Sequence, residues 1–373
     1  MPRLSGTPTP KHTIEFVVSE PLDLMNAMYF THLARDIEGV EGWPKQVRGE
    51  MAPQLLEELD FLFSFPLGQP GVMGALADRL FAYPETWQGL DSLVRFVRQL
   101  PEGIGEWPGR LGVQGLALYS IRTPTALGQR DVDPEASARG TLRRFVEAEG
   151  RDVAPVLAIF ERPAELRERM ARLIERFYDE HYRQDLPRRL PCMERSVAAY
   201  RDVRETDIIA LMRRLTGRPE EGCEDEILRD VFDRFIFVPS LDMGPYNSCG
   251  AAGRIHGLYY SCEAQSIEEG PLEEETRRLA RLHKALSDEQ RLRILSLLKD
   301  REMYAQEIVE CTRLHQSVVS RHLTFMKAVG LLSERRQNNM KFYTINPSIG
   351  EELGKTLDLL APRAGREERA SQS

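Results

Sequence analysis

Apolar residues three and four apart recur through the first two thirds of the chain. Leu55, Leu56, Leu59, Leu62 and Phe63 follow Pro53; Leu90, Leu93, Val94, Val97 and Leu100 form a second set; Leu166, Met170, Leu173, Ile174 and Phe177 form a third. This spacing stacks side chains on one face of an α-helix, so each set predicts a helix with one buried side. Ile227, Leu228, Val231, Phe232 and Phe235 predict another. The period then changes. Residues 14–19 alternate, residues 235–238 are apolar up to Pro239, and residues 255–261 have the same extended character. Short runs of β-branched and aromatic residues beside Pro or Gly predict strands, here a small sheet on a helical body. The expected fold class is mainly α with a small β component.

Residues 263–271 (EAQSIEEGP) are polar, acidic and closed by Gly-Pro, a composition suited to a linker. Beyond them the helical period resumes with Leu279, Leu282 and Leu286. Ser287, Asp288, Glu289 and Gln290 form a capping box, in which the Ser hydroxyl accepts from the Gln290 N–H and the Gln side chain reaches back. Leu292, Leu295 and Leu298 follow; Ile308 and Val309 face inward on a short third helix. After a turn at residues 312–315, a fourth helix buries Val318, Leu323, Met326 and Val329 and stops at Gly330. Residues 331–336 and 341–345 are extended runs joined by a polar turn. Helix, turn, helix and hairpin are the layout of a winged helix-turn-helix. Such a second helix fits the major groove of duplex DNA, where exposed residues near its N-terminus reach base edges. Gln316, Ser317, Ser320, Arg321 and His322 are the polar residues there, His322 being placed either to touch DNA or to brace the helix against the body. Arg335, Arg336 and Lys341, at the shoulders of the hairpin, are expected to contact phosphates and so supply affinity rather than sequence discrimination.

Charge sharpens this division. The 373-residue chain has a net charge of −8. Residues 273–347 nevertheless hold 14 Lys and Arg against 10 Asp and Glu, while residues 1–272 hold 32 against 43. A basic module is attached to a large acidic one. With 42% hydrophobic residues the composition is that of a globular protein of two or three domains. No apolar run is long enough to span a membrane and no signal peptide opens the chain. The five cysteines are odd in number and scattered, which argues against a disulfide framework and for a reducing cytoplasm.

The run from Ala285 to Leu295 (ALSDEQRLRIL) resembles the helix-two signature of the ArsR family of bacterial winged-helix regulators. Residues 317–323 (SVVSRHL) followed by 328–332 (AVGLL) are similar to its recognition-helix signature, and the wing ending in KFYTI matches as well. The resemblance covers about a fifth of the chain. It implies a homodimeric, DNA-binding transcriptional regulator, more often a repressor than an activator, with the outer helices of the module forming the dimer seam. Leu279, Leu282 and Leu286 before it, and Leu353 and Leu357 after it, are available for that seam. Two departures matter. Many family members sense metals through two cysteines where this chain has Tyr304 and Gln306, and a second family site needs histidine on the last helix, where residues 348–360 have none. Soft and borderline metals need thiolate or imidazole ligands, so no metal site is expected. His315 also stands where a serine usually caps the recognition helix.

The N-terminal part carries no phosphate-binding, dinucleotide-binding, metalloprotease or nucleophile-elbow motif. No catalytic residue and no cofactor is expected. Tyr246, Tyr259 and Tyr260 are candidate ligand-binding residues, since a buried phenol needs a polar partner that a small-molecule effector could supply. Cys249 and Cys262 flank the last predicted strand and are a candidate redox pair. The expected organisation is an arm (1–12), an α-rich sensor or effector domain (13–262), a linker (263–272), the winged helix (273–361) and a tail (362–373). The alternative is an enzyme or small-molecule-binding protein whose winged helix serves only dimerisation or protein contacts.

Overall fold

The computed structural model describes residues 12–66, 70–103, 112–120, 134–201, 208–216, 231–263, 271–337 and 340–360. Backbone contacts divide the chain into two compact units. One comprises Met1–Asp36, Val40–Arg204 and Arg229–Ser266; the other comprises Ile37–Gly39, Glu205–Leu228 and Ile267–Ser373. The described residues are mainly α-helical with two small sheets.

The first unit holds strands β1 (Thr13–Phe16), β2 (Arg234–Ser240), β3 (Ser248–Ala252) and β4 (Ile255–Ser261) in the order β1-β2-β4-β3. The first three in that order run parallel, and β3 is antiparallel to β4. Phe235, expected on a helix face, lies on β2; Ile227 and Leu228 fall outside the described residues. The strand also continues through Pro239. Phe237 turns its carbonyl to β1, where it accepts from Val17 N–H at 2.9 Å, and position 239 shares that orientation just past the end of β1. The missing N–H therefore faces no partner strand. Strand β3 lacks alternation and is made by its hairpin with β4, through a turn at Gly253 (φ 63°). Gly257 is required for packing: a Cβ there would lie 2.2 Å from the Phe81 ring.

Helices α1 (Glu20–Leu33), α2 (Trp43–Glu50), α3 (Pro53–Leu62), α4 (Gly71–Leu80), α5 (Leu90–Arg98), α6 (Val113–Tyr119), α7 (Pro134–Ala148), α8 (Val153–Phe160), α9 (Pro163–Phe177) and α10 (Leu186–Tyr200) accompany the sheet, with α1 and α10 packed on β2 and α4 on β3. The predicted apolar faces of α3, α5 and α9 are buried, and α9 packs against the other two. Between α9 and α10 the chain passes through a π turn (Tyr178–Tyr182) and a 3-10 turn (Arg183–Asp185). Pro187, in the first turn of α10, lacks the N–H that would bond to Arg183 O in a continuous α-helix.

This irregular segment directs charge inward. Arg189 is fully buried and pairs with Asp23 of α1 (3.1 Å), Asp185 (2.7 Å) and Asp242 beyond β2 (2.8 Å), with its guanidinium 4.2 Å from the Trp43 ring centre. The Tyr182 hydroxyl and the Ser240 hydroxyl both donate to Asp23, at 2.6 and 2.5 Å, and Asn26 donates to Ser240 at 2.8 Å. Burial opposes the Arg189 charge, but the carboxylates of Asp23 and Asp242 outweigh it and raise its pKa.

In the second unit, α11 (Ile208–Thr216) is followed by α12 (Pro271–Leu286), α13 (Glu289–Leu298), β5 (Met303–Tyr304), α14 (Ala305–Thr312), α15 (Gln316–Ala328), β6 (Leu332–Gln337), β7 (Met340–Ile345) and α16 (Ile349–Leu360). Strands β5, β7 and β6 form an antiparallel sheet in that order, so α14, α15 and the β6–β7 hairpin make a winged helix-turn-helix. The α15 core differs from the expected one by a register detail. Val319, Leu323, Phe325 and Met326 are buried, whereas Val318 and Val329 are half-buried. The cap of α13 also differs. Asp288 is the N-cap, accepting from Arg291 N–H at 3.0 Å, because α12 runs on to Leu286 and Ser287 is spent donating to Lys284 O at 2.8 Å. Arg291 is buried and donates to the carbonyls of Ala285 (2.7 Å) and Lys284 (2.9 Å), closing the C-terminus of α12. Among the described residues no helix is long and apolar enough to cross a membrane.

Candidate nucleic-acid interface

The turn into α15 is made by Arg313 in the left-handed conformation (φ 59°), with Thr312 Oγ1 donating to Ile308 O at 2.7 Å. His315 is the N-cap: its Nδ1 faces the Ser317 N–H at 3.4 Å and the Ser317 hydroxyl at 2.8 Å. An imidazole nitrogen thus takes the place of the serine oxygen that more often satisfies a free N–H at a helix start.

The buried residues Val319, His322, Leu323, Phe325 and Met326 fix the rotation of α15 and leave Gln316, Ser317, Ser320, Arg321 and Thr324 exposed on the other side. The sequence reading missed Thr324, although its spacing of four from Ser320 puts it on the same face. Among the described residues, none holds the Arg321 guanidinium in a hydrogen bond or ion pair. For His322 the buried position favours the brace of the two alternatives. At about 100° per residue it points roughly opposite the exposed face. It is 5% exposed, and its Nε2 meets Gln290 Oε1 of α13 at 2.9 Å. Burial lowers its pKa, so the imidazole serves as a neutral brace between α15 and α13 rather than a contact to a ligand.

The wing corrects an expectation. Arg335 is not presented freely: its Nε donates to Glu302 Oε2 at 2.6 Å, another guanidinium nitrogen meets the second oxygen, and Phe342 lies 4.8 Å beneath. Lys341 and Lys327 bind Glu334 from two sides, at 3.1 and 2.9 Å. Burial works to raise the Glu334 pKa, but the two ammonium groups outweigh it and hold the carboxyl below its usual range. Arg336 sits opposite Lys341 in the hairpin register, and its side chain lies outside the described residues. Gln316, Ser320, Thr324 and Lys327 of α15 face Glu334 and Lys341 across a groove of about 300 Å³, floored by Val309 and Tyr343.

The remaining candidates divide. Leu279 and Leu282 are buried within the protomer, so they are not free to form a seam; Leu286 and Leu353 are half-buried and Leu357 is 70% exposed. His283 meets Thr356 at 2.8 Å, joining α12 to α16. The three tyrosines do not converge. Tyr259 packs against Phe81 and has a buried hydroxyl, while its strand neighbour Tyr260 necessarily faces the opposite side and bonds to Ser196 at 2.9 Å. Tyr246 lies beside Phe30. Cys249, exposed on β3, is in register with Leu258, whereas Cys262 is buried beyond the end of β4. Four residues of strand, roughly 13 Å, lie between that register position and Cys262, too far for a disulfide.

Comparison with known proteins bears on this unit. A family model described as bacterial regulatory protein, arsR family, matches residues 288–334. The transcriptional activator HlyU of Vibrio cholerae is 37% identical over 65 residues, which are 17% of this chain and 60% of that protein. The transcriptional repressor SdpR of Bacillus subtilis is 33% identical over 66 residues, 18% of this chain and 73% of that protein. Among solved structures, HlyU from Vibrio cholerae aligns at 31% identity over 24% of this chain and 96% of that one, with a TM-score of 0.21. The matched segment holds the Asp288 cap, the turn at Arg313 and the whole of α15. Through this winged helix-turn-helix, the chain belongs to the ArsR family of bacterial regulatory proteins.

Proposed function

We propose that the protein is a transcriptional regulator that binds duplex DNA as a homodimer, laying α15 in the major groove and the β6–β7 wing along the backbone. The observation that carries this reading is the exposed face of α15. Five polar side chains stand there on a helix whose other side is locked into a core, and one of them is an arginine that no described residue engages. Arginine forms bidentate bonds to guanine and glutamine to adenine, while the threonine methyl packs against thymine. An apolar face at this position would instead have favoured a protein partner.

Arg335, Lys341 and Lys327 are the phosphate-binding group in this reading, each exchanging a carboxylate for a phosphate on binding. The dimer seam uses α12 and α16 with Leu286, Leu353 and Leu357. The sense of regulation is repression, as for SdpR, and the first unit modulates operator affinity. The decisive experiment measures fluorescence anisotropy of the full-length protein on its own promoter fragment and on random duplex across a salt series. Arg321→Ala is expected to weaken promoter binding by about 10- to 100-fold and leave random-duplex binding nearly unchanged. Equal binding of both duplexes by the wild type would sink the reading. A monomer by light scattering at micromolar concentration removes the dimer, and a reporter that rises on deletion of the gene supports repression.

A further inference from the structure

We propose that Cys192 and Cys262 form an oxidisable dithiol, a modification site that closes to an intramolecular disulfide and ties α10 to the chain just beyond β4. The two residues are 70 positions apart, yet the Cys192 thiol donates to the Cys262 carbonyl oxygen at 2.9 Å, and both side chains sit in one buried cluster. Both are free thiols, 1% and 0% exposed, packed together with Met193, Leu241 and Val18. The remaining described cysteines, Cys249 and Cys311, are exposed.

The surroundings distinguish the two sulfurs. The hydrogen bond from Cys262, with the positive charges of Arg195 and Arg188, holds Cys192 below the ordinary thiol range against burial and the nearby Glu263. Burial pushes Cys262 well above that range, with Cys192, Asp23 and Glu263 adding to it. Cys192 is therefore the attacking sulfur and Cys262 the resolving one. The oxidant is a small hydroperoxide, since burial excludes bulky reagents. The Cys192 thiolate attacks one peroxide oxygen; the S–O bond forms, the O–O bond breaks, and the departing hydroxide takes up a proton. The Cys262 sulfur then attacks the sulfenic sulfur. The S–S bond forms, the S–O bond breaks, and the released hydroxide leaves as water with the Cys262 proton. Two thiols are oxidised as hydrogen peroxide is reduced to two waters. A second thiol in contact intercepts the sulfenic acid before it reaches sulfinic acid.

The location gives the bond leverage. Cys262 N–H donates to Ser240 O at 3.0 Å, extending the β2–β4 ladder one residue past β4, and α12 of the winged-helix unit begins at Pro271. The crosslink thus forms where the chain leaves the sheet.

The test uses the full chain carrying Cys249→Ser and Cys311→Ser, which removes the exposed thiols, alongside the wild type. Each is treated with hydrogen peroxide, alkylated, digested without reductant and analysed by mass spectrometry. The expected result is the loss of two hydrogens and a peptide pair joining Cys192 to Cys262, reversed by dithiothreitol, in both proteins. Recovery of both cysteines alkylated after treatment overturns the proposal. So does sulfinic or sulfonic acid on either one without a crosslink, or a crosslink to Cys223 instead. Cys262→Ser supplies the second arm: with the resolving thiol gone, peroxide treatment of the folded variant is expected to leave Cys192 as a sulfenic acid, which dimedone labels once the treated protein is unfolded in its presence. Absence of labelling in that folded variant overturns the assignment of Cys192 as the attacking sulfur.

Discussion

Arg189 and Arg321 are the same side chain used in opposite ways. In the first unit Arg189 is sealed between three carboxylates and two aromatic rings, its charge consumed by the fold. In the winged helix Arg321 is exposed on a helix whose buried residues hold it in place. A buried ion network is costly to break because the partner charges remain buried. An exposed, unpaired arginine adds nothing to stability and keeps its full charge for a ligand. One arginine holds its own core together, and the other is presented to whatever the helix meets.

The strongest way to break that contrast is Arg189→Met. It leaves the buried Asp23 without its guanidinium partner, with Asp185 and Asp242 held by Arg188, and is expected to cost about 3–5 kcal/mol, read as a lower urea midpoint. Arg321→Met should leave the midpoint unchanged and lose promoter binding. If Arg189→Met melts like the wild type, the network is not holding the first unit together.

Acid offers the next largest effect. Burial between Phe232 and Phe235 lowers the His256 pKa to about 4. Above pH 6.5 the imidazole is neutral in both folded and unfolded chains and contributes nothing to the pH dependence. Below it, the unfolded chain takes a proton that the folded one refuses until about pH 4. Stability therefore falls across that window by roughly 3 kcal/mol in all. Urea midpoints at stepped pH should show this slope, and His256→Phe should flatten it; an unchanged slope would mean other groups set the acid response.

The smallest effect sharpens the comparison within the winged helix. Glu302→Gln releases Arg335 from its carboxylate. DNA binding at low salt should tighten severalfold and the salt slope should steepen by about one counterion. An unaltered slope would show that Arg335 stays out of reach of the phosphates.

The winged helix was legible because its rules are local. The Leu279–Leu282–Leu286 stripe, the glycine stop at Gly330 (φ 82°) and the paired extended runs all report on neighbours a few residues away. Most of the exposed face of α15 followed from the same period. His322 did not, because polarity alone does not tell a brace from a contact; Gln290 on another helix decides it. Thr324 was readable from its spacing and was passed over. The Arg335–Glu302 pair joins residues 33 apart and had no sequence signal.

In the first unit the balance reverses. Apolar periodicity determined where α3, α5 and α9 lie and which faces they bury, because helix geometry converts spacing into direction without further information. The parallel order of β1, β2 and β4, the place of Pro239 in a strand, the pairing of Arg189 with Asp23 and Asp242, and the meeting of Cys192 with Cys262 depend on residues 21 to about 220 positions apart. No local pattern encodes such pairings. They are settled by which surfaces can be buried together with every charge and hydrogen-bonding group satisfied, and that condition exists only in the folded chain.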